Sequence, residues 1–352
     1  MYFKQVLDER YGCASYLVAS PTAREAAVID PSFDLEPYLT ILNERQFRLR
    51  YVVDTHIHAD HLSGARRLAQ QTGATLCLHA SANVMYPFHG LTDQEELALG
   101  NIRLRVLHTP GHRPELISLL LVNLDRSDVP EAVLTGDSLL VGDAGRPDFN
   151  GGDPEAQYGS IQQLLALPEY VAVFPGHFEG PCGKSMEGRP FTTIGFEQQW
   201  NTLAHLSREA FVATLSTDIP ERPLNMLVIE ATNRGEEDIP WAMVRSSEPV
   251  EEQAVTTLPA LDGQTCLIDV REPSEFERGH IPGARNVPQA ELASRLEEVP
   301  QEGVVYVVCG SGKRSLQATR FLQQQGYQHV VNLSGGTQAW KDAGKPVTIG
   351  GA

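Results

Sequence analysis

Within six consecutive positions the chain places His56, His58, Asp60 and His61, directly after the apolar run Tyr51, Val52, Val53. An apolar run bounded by polar residues reads as the end of a buried strand, so these four side chains fall in a loop at a sheet edge. A tight loop aims alternate side chains into one cavity. Imidazole and carboxylate together are a donor set for a hard or borderline divalent cation. The spacing therefore predicts a metal centre and not a solvated polar loop.

The same device recurs along the chain. The alternating strand pattern of Ile102, Leu104 and Val106 runs into Thr109, Pro110, Gly111, His112. The apolar run 132–134 ends in Thr135, Gly136, Asp137, and the run 170–174 ends in Pro175, Gly176, His177. Strand tips hold a rigid backbone while leaving side chains free to converge. His112, Asp137 and His177 are therefore expected at the same centre.

A second chemistry is written around Cys309. The apolar strand 304–308 leads straight into Cys309, Gly310, Ser311, Gly312, Lys313, Arg314 and Ser315, followed by a helix bearing Leu316, Ala318, Phe321 and Leu322. Glycine at a strand-to-helix turn lets several backbone N–H groups point inward, and with Lys313 and Arg314 nearby they stabilise a thiolate and any anion attached to it. Cys309 is thus a poised nucleophile. Cys13, Cys77 and Cys266 lie in apolar strand patterns and are expected to be buried and structural. Cys182 follows His177 in a loop, and its role stays open. Five scattered cysteines imply neither a disulfide framework nor a cysteine-only zinc site.

The elements that must position these groups are legible in outline. Residues 16–28 read as a hairpin, 35–43 as a helix, 64–71 as a short amphipathic helix closed by Gly73, and 74–78 as the next strand. At 352 residues two domains are expected: 1–241, a polar acidic linker over 242–256, and 257–352. In the second, strands at 266–270, 304–308 and 330–333 alternate with helix, Gly326 being the expected helix cap, which implies a small α/β domain with a mostly parallel sheet. A formal net charge of -17 argues against nucleic acid or an anionic membrane surface as partner. No apolar run is long enough to cross a bilayer and residues 1–10 lack a signal-peptide pattern, so the expected location is cytoplasmic. The sequence is compatible with a homo-oligomer and does not decide it.

Residues 1–241 resemble the metallo-β-lactamase superfamily, through residues 55–61 with His112, Asp137 and His177. The stretch 141–149, with Gly145, Arg146, Pro147 and Asp148, resembles the signature of persulfide dioxygenases within it. Residues 257–352 resemble a rhodanese, through Asp269, Val270, Arg271, then 279–284, and above all the 309–315 loop. Together they resemble a persulfide dioxygenase-rhodanese fusion.

The resemblance implies an αββα sandwich followed by the rhodanese domain, and one Fe(II) per chain held by His56, His112 and Asp137. His58, Asp60, His61 and His177 match residues that complete a two-metal site in hydrolase relatives, and would here support the ligands from outside. The implied substrates are glutathione persulfide or another small thiol persulfide with O2, and thiosulfate at Cys309 and Arg314. Arg146, Lys184 and Arg189 are the candidates to hold the carboxylates of the thiol. The loop after His177 departs from the dioxygenases: Phe178 and Glu179 stand where Asp-Tyr is usual. Two other readings follow from the same residues. One is a glyoxalase II-type two-metal thioester hydrolase with a fused sulfurtransferase; the other is a non-catalytic sulfur carrier. By donor type alone the centre also suits zinc or manganese.

Overall fold

The computed structural model describes all residues except 10–11, 181, 184–185, 187, 218–225, 237–249, 260–264 and 351–352. Its contacts divide the chain into Met1–Glu237 and Asp238–Ala352.

The first unit opens with a six-stranded sheet in chain order: β1 (Tyr2–Asp8), β2 (Cys13–Ser20), β3 (Glu25–Ile29), β4 (Arg48–Val53), β5 (Thr75–His79) and β6 (His89–Leu91). The expected hairpin is β2–β3, with Tyr16 opposite Ile29 and Ser20 opposite Glu25. From β3 onward the pairs are parallel, and each parallel step needs a crossover. Helices α1 (Glu36–Arg45) and α2 (Ala65–Thr72) supply the first two, and the loop 80–88 makes the third, between β5 and β6. Gly73 closes α2 at φ 70°, a left-handed conformation that glycine adopts without steric cost.

The second sheet contains β7 (Glu96–Leu99), β8 (Ile102–His108), β9 (Ile117–Asn123), β10 (Ala132–Gly136), β13 (Ala172–Pro175) and β14 (Thr192–Thr193), with the small hairpin β11 (Leu139–Leu140) and β12 (Asp143–Ala144) beside it. Helices α3 (Pro154–Leu165), α4 (Ile194–Trp200), α5 (Arg208–Ser216) and α6 (Met226–Arg234) complete the unit.

Side-chain alternation shows the layering. Val18, Ile29 and Val53 of the first sheet meet Leu104, Leu119 and Leu134 of the second in one core. Their neighbours Leu17, Val28 and Val52 face the other way, against Tyr38 and Leu42 of α1 and Leu68 of α2. On the far side of the second sheet Leu120, Val133 and Val173 pack on Ile161, Leu164 and Phe211. Adjacent strand residues point to opposite faces, so each sheet is apolar on both and is covered on both. This is the αββα sandwich.

The second unit is a five-stranded sheet, all parallel, in the order β15 (Glu251–Ala254), β19 (Val330–Ser334), β18 (Val304–Val308), β16 (Thr265–Asp269), β17 (Arg285–Asn286). Its helices are α7 (Pro273–Glu277), α8 (Lys313–Gln324) and α9 (Gly336–Asp342). Val305 and Val307 pack on Phe321 and Leu322, whereas Tyr306 and Val308 pack on Phe276 and Trp340. Two sequence expectations shift here. Strand β15 falls inside the stretch expected as a linker, 242–256, and pairs with β19, so this sheet reaches back to Glu251. The expected end at 241 and the linker as far as 249 lie outside the described residues. The α8 cap falls on Gln325, with Gly326 following at φ 93°.

Candidate metal centre and sulfur-transfer loop

The tips of β4, β10 and β13, with the turn that follows β8, bring His56, His112, Asp137 and His177 together. His56 Nε2 lies 3.8 Å and His112 Nε2 3.6 Å from Asp137 Oδ2. All three residues are buried.

Each ring is set from behind. Asp30 follows β3 with φ 48° and accepts from both Thr55 N (2.7 Å) and Thr55 Oγ1 (2.8 Å). Because that hydroxyl proton is given to Asp30, Thr55 Oγ1 accepts from His56 Nδ1 at 3.0 Å. His112 Nδ1 donates to the carbonyl of Arg146 at 2.8 Å. Both histidines are thereby fixed as tautomers with the Nε2 lone pair directed at Asp137. Burial lowers the pKa of each, so both are neutral.

His177 donates from Nδ1 to Asp137 Oδ1 at 2.7 Å and from Nε2 to Asp60 Oδ2 at 2.8 Å. An imidazole that donates from both nitrogens is an imidazolium. Burial opposes that charge, yet Asp137, Cys13 and Asp60 together hold the pKa well above the usual histidine range. Burial likewise pushes the Asp137 carboxyl up, and the charged, hydrogen-bonded His177 beside it outweighs that and keeps it ionised.

Asp137 Oδ2 is left buried without a hydrogen-bond partner among the described residues. A buried carboxylate oxygen flanked by two imidazole lone pairs is an uncompensated arrangement unless a cation shares it. Donors 3.6–3.8 Å apart are also close enough to share one ion bonded to each at about 2.1 Å. The residues fit a metal ion.

The remaining motif residues go elsewhere. His58 Nε2 faces Asp30 Oδ1 at 3.3 Å and Asp54 Oδ1 at 3.9 Å, forming a separate buried group. Asp60 and His61 group with His177 and Cys13. Arg146, expected to hold a substrate carboxylate, is fully buried. It gives Nε to Asp148 Oδ1 (2.6 Å) and an Nη to Oδ2 (2.8 Å), so its side chain is engaged inside the protein. Arg189 is exposed, with its guanidinium 5.2 Å from the Phe196 ring centre. Lys184 lies outside the described residues.

Three groups absent from the sequence expectation shape the site. Cys13, expected to be structural, has its Sγ 3.1 Å from His177 Nε2. Asn233 on α6 donates to the carbonyls of His58 and His61, both at 2.9 Å, and accepts from Ser63 N at 3.0 Å, so it clasps the histidine loop. The buried Arg113 pairs with Glu115 and with Glu230 of α6, and Glu115 in turn accepts from Ile57 N at 3.1 Å.

In the second unit Cys309 is buried, and the N–H of Gly312 donates to its Sγ at 3.2 Å. Ser315 Oγ lies 3.4 Å from the same sulfur. Gly312 has φ 97°, and Gly310 and Ser311 are the more open part of the loop. Thr337 N and Gln338 N of α9 donate to the carbonyls of Cys309 and Gly310, tying the loop to a second helix start. Arg314 makes a two-pronged pair with Glu275, both bonds at 2.8 Å. The Lys313 side chain lies outside the described residues.

Residues 8–177 match the family described as the metallo-beta-lactamase superfamily, and residues 254–343 match the rhodanese-like domain. The crystal structure of ETHE1 from Myxococcus xanthus is 30% identical and superposes with a TM-score of 0.60, over 67% of this chain and 100% of that one. The chain belongs to the metallo-beta-lactamase superfamily. A Staphylococcus aureus metallo-beta-lactamase structure is 29% identical, with a TM-score of 0.68 over 95% of this chain and 99% of that one. Among curated relatives, the hydroxyacylglutathione hydrolase of Nitrosococcus oceani is 29% identical over 59% of this chain and 87% of its own length. Human mitochondrial persulfide dioxygenase ETHE1 is 28% identical over 56% and 74%. The chain spans only 57% of the length of a beta-lactamase hydrolase-like protein from Xylella fastidiosa that it also matches. The protein therefore joins a superfamily domain with a candidate metal centre to a rhodanese-like domain. Among the described residues no helix is long and apolar enough to cross a membrane.

Proposed function

We propose that the metallo-beta-lactamase domain is a persulfide dioxygenase with one Fe(II), and that the rhodanese-like domain is its sulfurtransferase partner. The observation that carries this reading is the three-donor group His56, His112 and Asp137, from which His58 is drawn away by Asp30 and Asp54. Two histidines and one carboxylate would hold an iron with positions left for both a sulfur ligand and O2, and iron supplies the redox chemistry that such a reaction needs. The kinship with two ETHE1 proteins supports it. Overall, a thiol persulfide, O2 and water would give sulfite, the free thiol and two protons. Glutathione persulfide is the first candidate substrate.

The chain's own residues set the conditions. Thr55 and the Arg146 carbonyl hold the two histidines as neutral ligands. His177 keeps its proton on Nδ1 against Asp137, so that carboxylate turns its other oxygen inward. Phe149 lies edge-to-face on His112 at 4.8 Å and screens that ring from water.

At Cys309 the thiolate would attack the outer sulfur of thiosulfate, release sulfite and carry a persulfide, which a small thiol then removes. The Gly312 N–H is already directed at the sulfur that must bear the charge.

The hydrolase reading keeps one specific support, the presence of Asp60, His61 and His177 beside the 29% identical hydroxyacylglutathione hydrolase. Metal analysis of anaerobically purified protein, with O2 uptake on adding glutathione persulfide, separates the two. One iron per chain and persulfide-dependent uptake are expected. Cleavage of S-lactoylglutathione without O2 uptake overturns the dioxygenase. Thiosulfate-to-thiol sulfur transfer that survives Cys309→Ser overturns the sulfurtransferase assignment.

A further inference from the structure

Behind the Cys309 loop runs a line of polar side chains that no step of the proposed transfer uses. Ser315 Oγ, 3.4 Å from Cys309 Sγ, lies 2.7 Å from Asn332 Oδ1 and 3.2 Å from the Gly312 carbonyl oxygen. Asn332 Nδ2 donates in turn to Glu252 Oε2 at 3.2 Å. Ser315 and Asn332 are buried, whereas Glu252 is exposed on the outer strand of the sheet.

The sheet builds this line. Glu252 of β15 and Val307 of β18 are the register partners of Asn332 on its two sides. Partners in a ladder share a face, and Cys309, two residues beyond Val307, falls in the same core as Val307 and α8. The first turn of α8 lies over that face and sets Ser315 between Asn332 and the sulfur.

The count of protons decides what the line does. A carboxylate only accepts, so Glu252 takes the NH2 end of Asn332 and turns the amide oxygen to Ser315. The Ser315 hydroxyl has one proton, and the amide oxygen at 2.7 Å is a nearer and stronger acceptor than the sulfur at 3.4 Å. Ser315 therefore turns a lone pair to Cys309, which accepts from a thiol and repels a thiolate. We propose that Asn332, oriented by Glu252, withholds the Ser315 proton from Cys309 and so opposes the Gly312 N–H, which favours the thiolate. Asn332 and Glu252 are positioning residues, because they reach the sulfur only through Ser315. The inference rests on the sulfurtransferase reading for its consequence, the rate of attack on thiosulfate. The other charged groups around the loop are Lys313, Arg314 paired with Glu275, and Asp269 paired with Arg271, and the test alters none of them.

The test follows Cys309 in the full-length protein. Alkylation by iodoacetamide is measured against pH on the Cys309 peptide by mass spectrometry, since Cys13, Cys77, Cys182 and Cys266 are free thiols too. In Glu252→Ala the Asn332 amide can turn, and in Asn332→Ala the competing acceptor is gone. Either change lets Ser315 donate to the thiolate. The midpoint of the profile then moves down by about one pH unit, the shift that one hydrogen bond to a charged acceptor brings. On a Ser315→Ala background Glu252→Ala moves nothing, because the hydroxyl that carries the effect is absent. A midpoint that stays in place in Glu252→Ala overturns the proposal. So does one that falls equally without Ser315, which would assign the effect to the bare charge of Glu252. Should Asn332→Ala not fold, the exposed Glu252 and the small change at Ser315 decide alone.

Single-turnover sulfite release from thiosulfate keeps the two readings apart. Well below the midpoint, Glu252→Ala should release sulfite about threefold faster, having about tenfold more thiolate that is about threefold less nucleophilic. A wild type that releases no sulfite while the midpoint still moves ends the sulfurtransferase reading and leaves the proton arrangement. Normal release with a fixed midpoint ends the proposal alone.

Discussion

His177 Nδ1 donates to Asp137 Oδ1 at 2.7 Å, and this bond decides which carboxylate oxygen is free. The other oxygen, Oδ2, faces the Nε2 atoms of His56 and His112. Asp137→Asn keeps the shape but replaces a charged donor by an amide. We expect it to bind iron more weakly by at least about a hundredfold, since an inner ligand outweighs an outer one. Metal analysis of the purified variant checks this, and normal iron content would show that Asp137 is not a ligand.

His58 separates the proposed one-iron centre from a two-metal one. It contacts Asp30 and Asp54 and does not join the three-donor group. His58→Gln should retain iron near the wild-type level, while His56→Ala loses it. Equal loss in both variants would return His58 to the metal and favour the hydrolase reading.

How much of this was legible depends on whether a signal was local. The motif 55–61 was legible because four ligand types crowd six positions, and His112, Asp137 and His177 because each ends an apolar run. Cys13 was not, since all eight residues of β2 are buried and a cysteine in such a run reads as a small hydrophobe. Its signal was topological: a hairpin partner of β3 must begin where β3 ends. Arg146 was misjudged because a cation in a signature loop suggests a substrate anion; Asp148, two residues on, was the nearer partner. Strand β15 read as linker because Glu251 and Glu252 are exposed on a sheet edge, where charge discourages further pairing. Asn233 carries no motif at all, and only the folded chain brings it to residues 58–63.

Asn233 makes a prediction about stability distinct from chemistry. Its amide serves two carbonyls and one N–H of the ligand loop. Asn233→Ala strands those groups, and each lost hydrogen bond contributes about 1 kcal/mol. A loss of roughly 2–3 kcal/mol in denaturant unfolding is expected, with iron affinity lowered as the loop loosens. Unchanged stability would mean that the loop is held by the sheet edge alone.

Gly336 tests the cradle of the second domain. At φ 57° it sits so close to the Cys309 loop that a Cβ would come 2.4 Å from the Cys309 carbonyl oxygen. Gly336→Ala must displace that loop or forfeit the bonds from Thr337 and Gln338 to it. We expect at least about 1–3 kcal/mol of destabilisation from the strained backbone and a fall in sulfur transfer, with O2 uptake by the other domain retained. Transfer assays and uptake measured on one preparation check both halves.

Asp54 gives a pH dependence whose sign can be worked out. Burial pushes its carboxyl up to about 6, with Asp30 adding to the rise and His58 opposing it. The unfolded chain titrates the same group near 3.8. Between those values the folded state binds the extra proton, so stability falls as pH rises through the window and the loss is complete above it. A shift of that size corresponds to on the order of 3 kcal/mol. Asp54→Asn keeps a neutral acceptor for Ser63 Oγ, which lies 3.0 Å and 2.8 Å from the two carboxylate oxygens. The variant should therefore match the wild type near pH 4 and gain on it steadily toward pH 7, with the two proteins stripped of metal. Unfolding by denaturant at several pH values gives the difference curve. A flat curve would mean that His58 keeps Asp54 ionised throughout, and that the Asp30, Asp54 and His58 group is held by charge pairing.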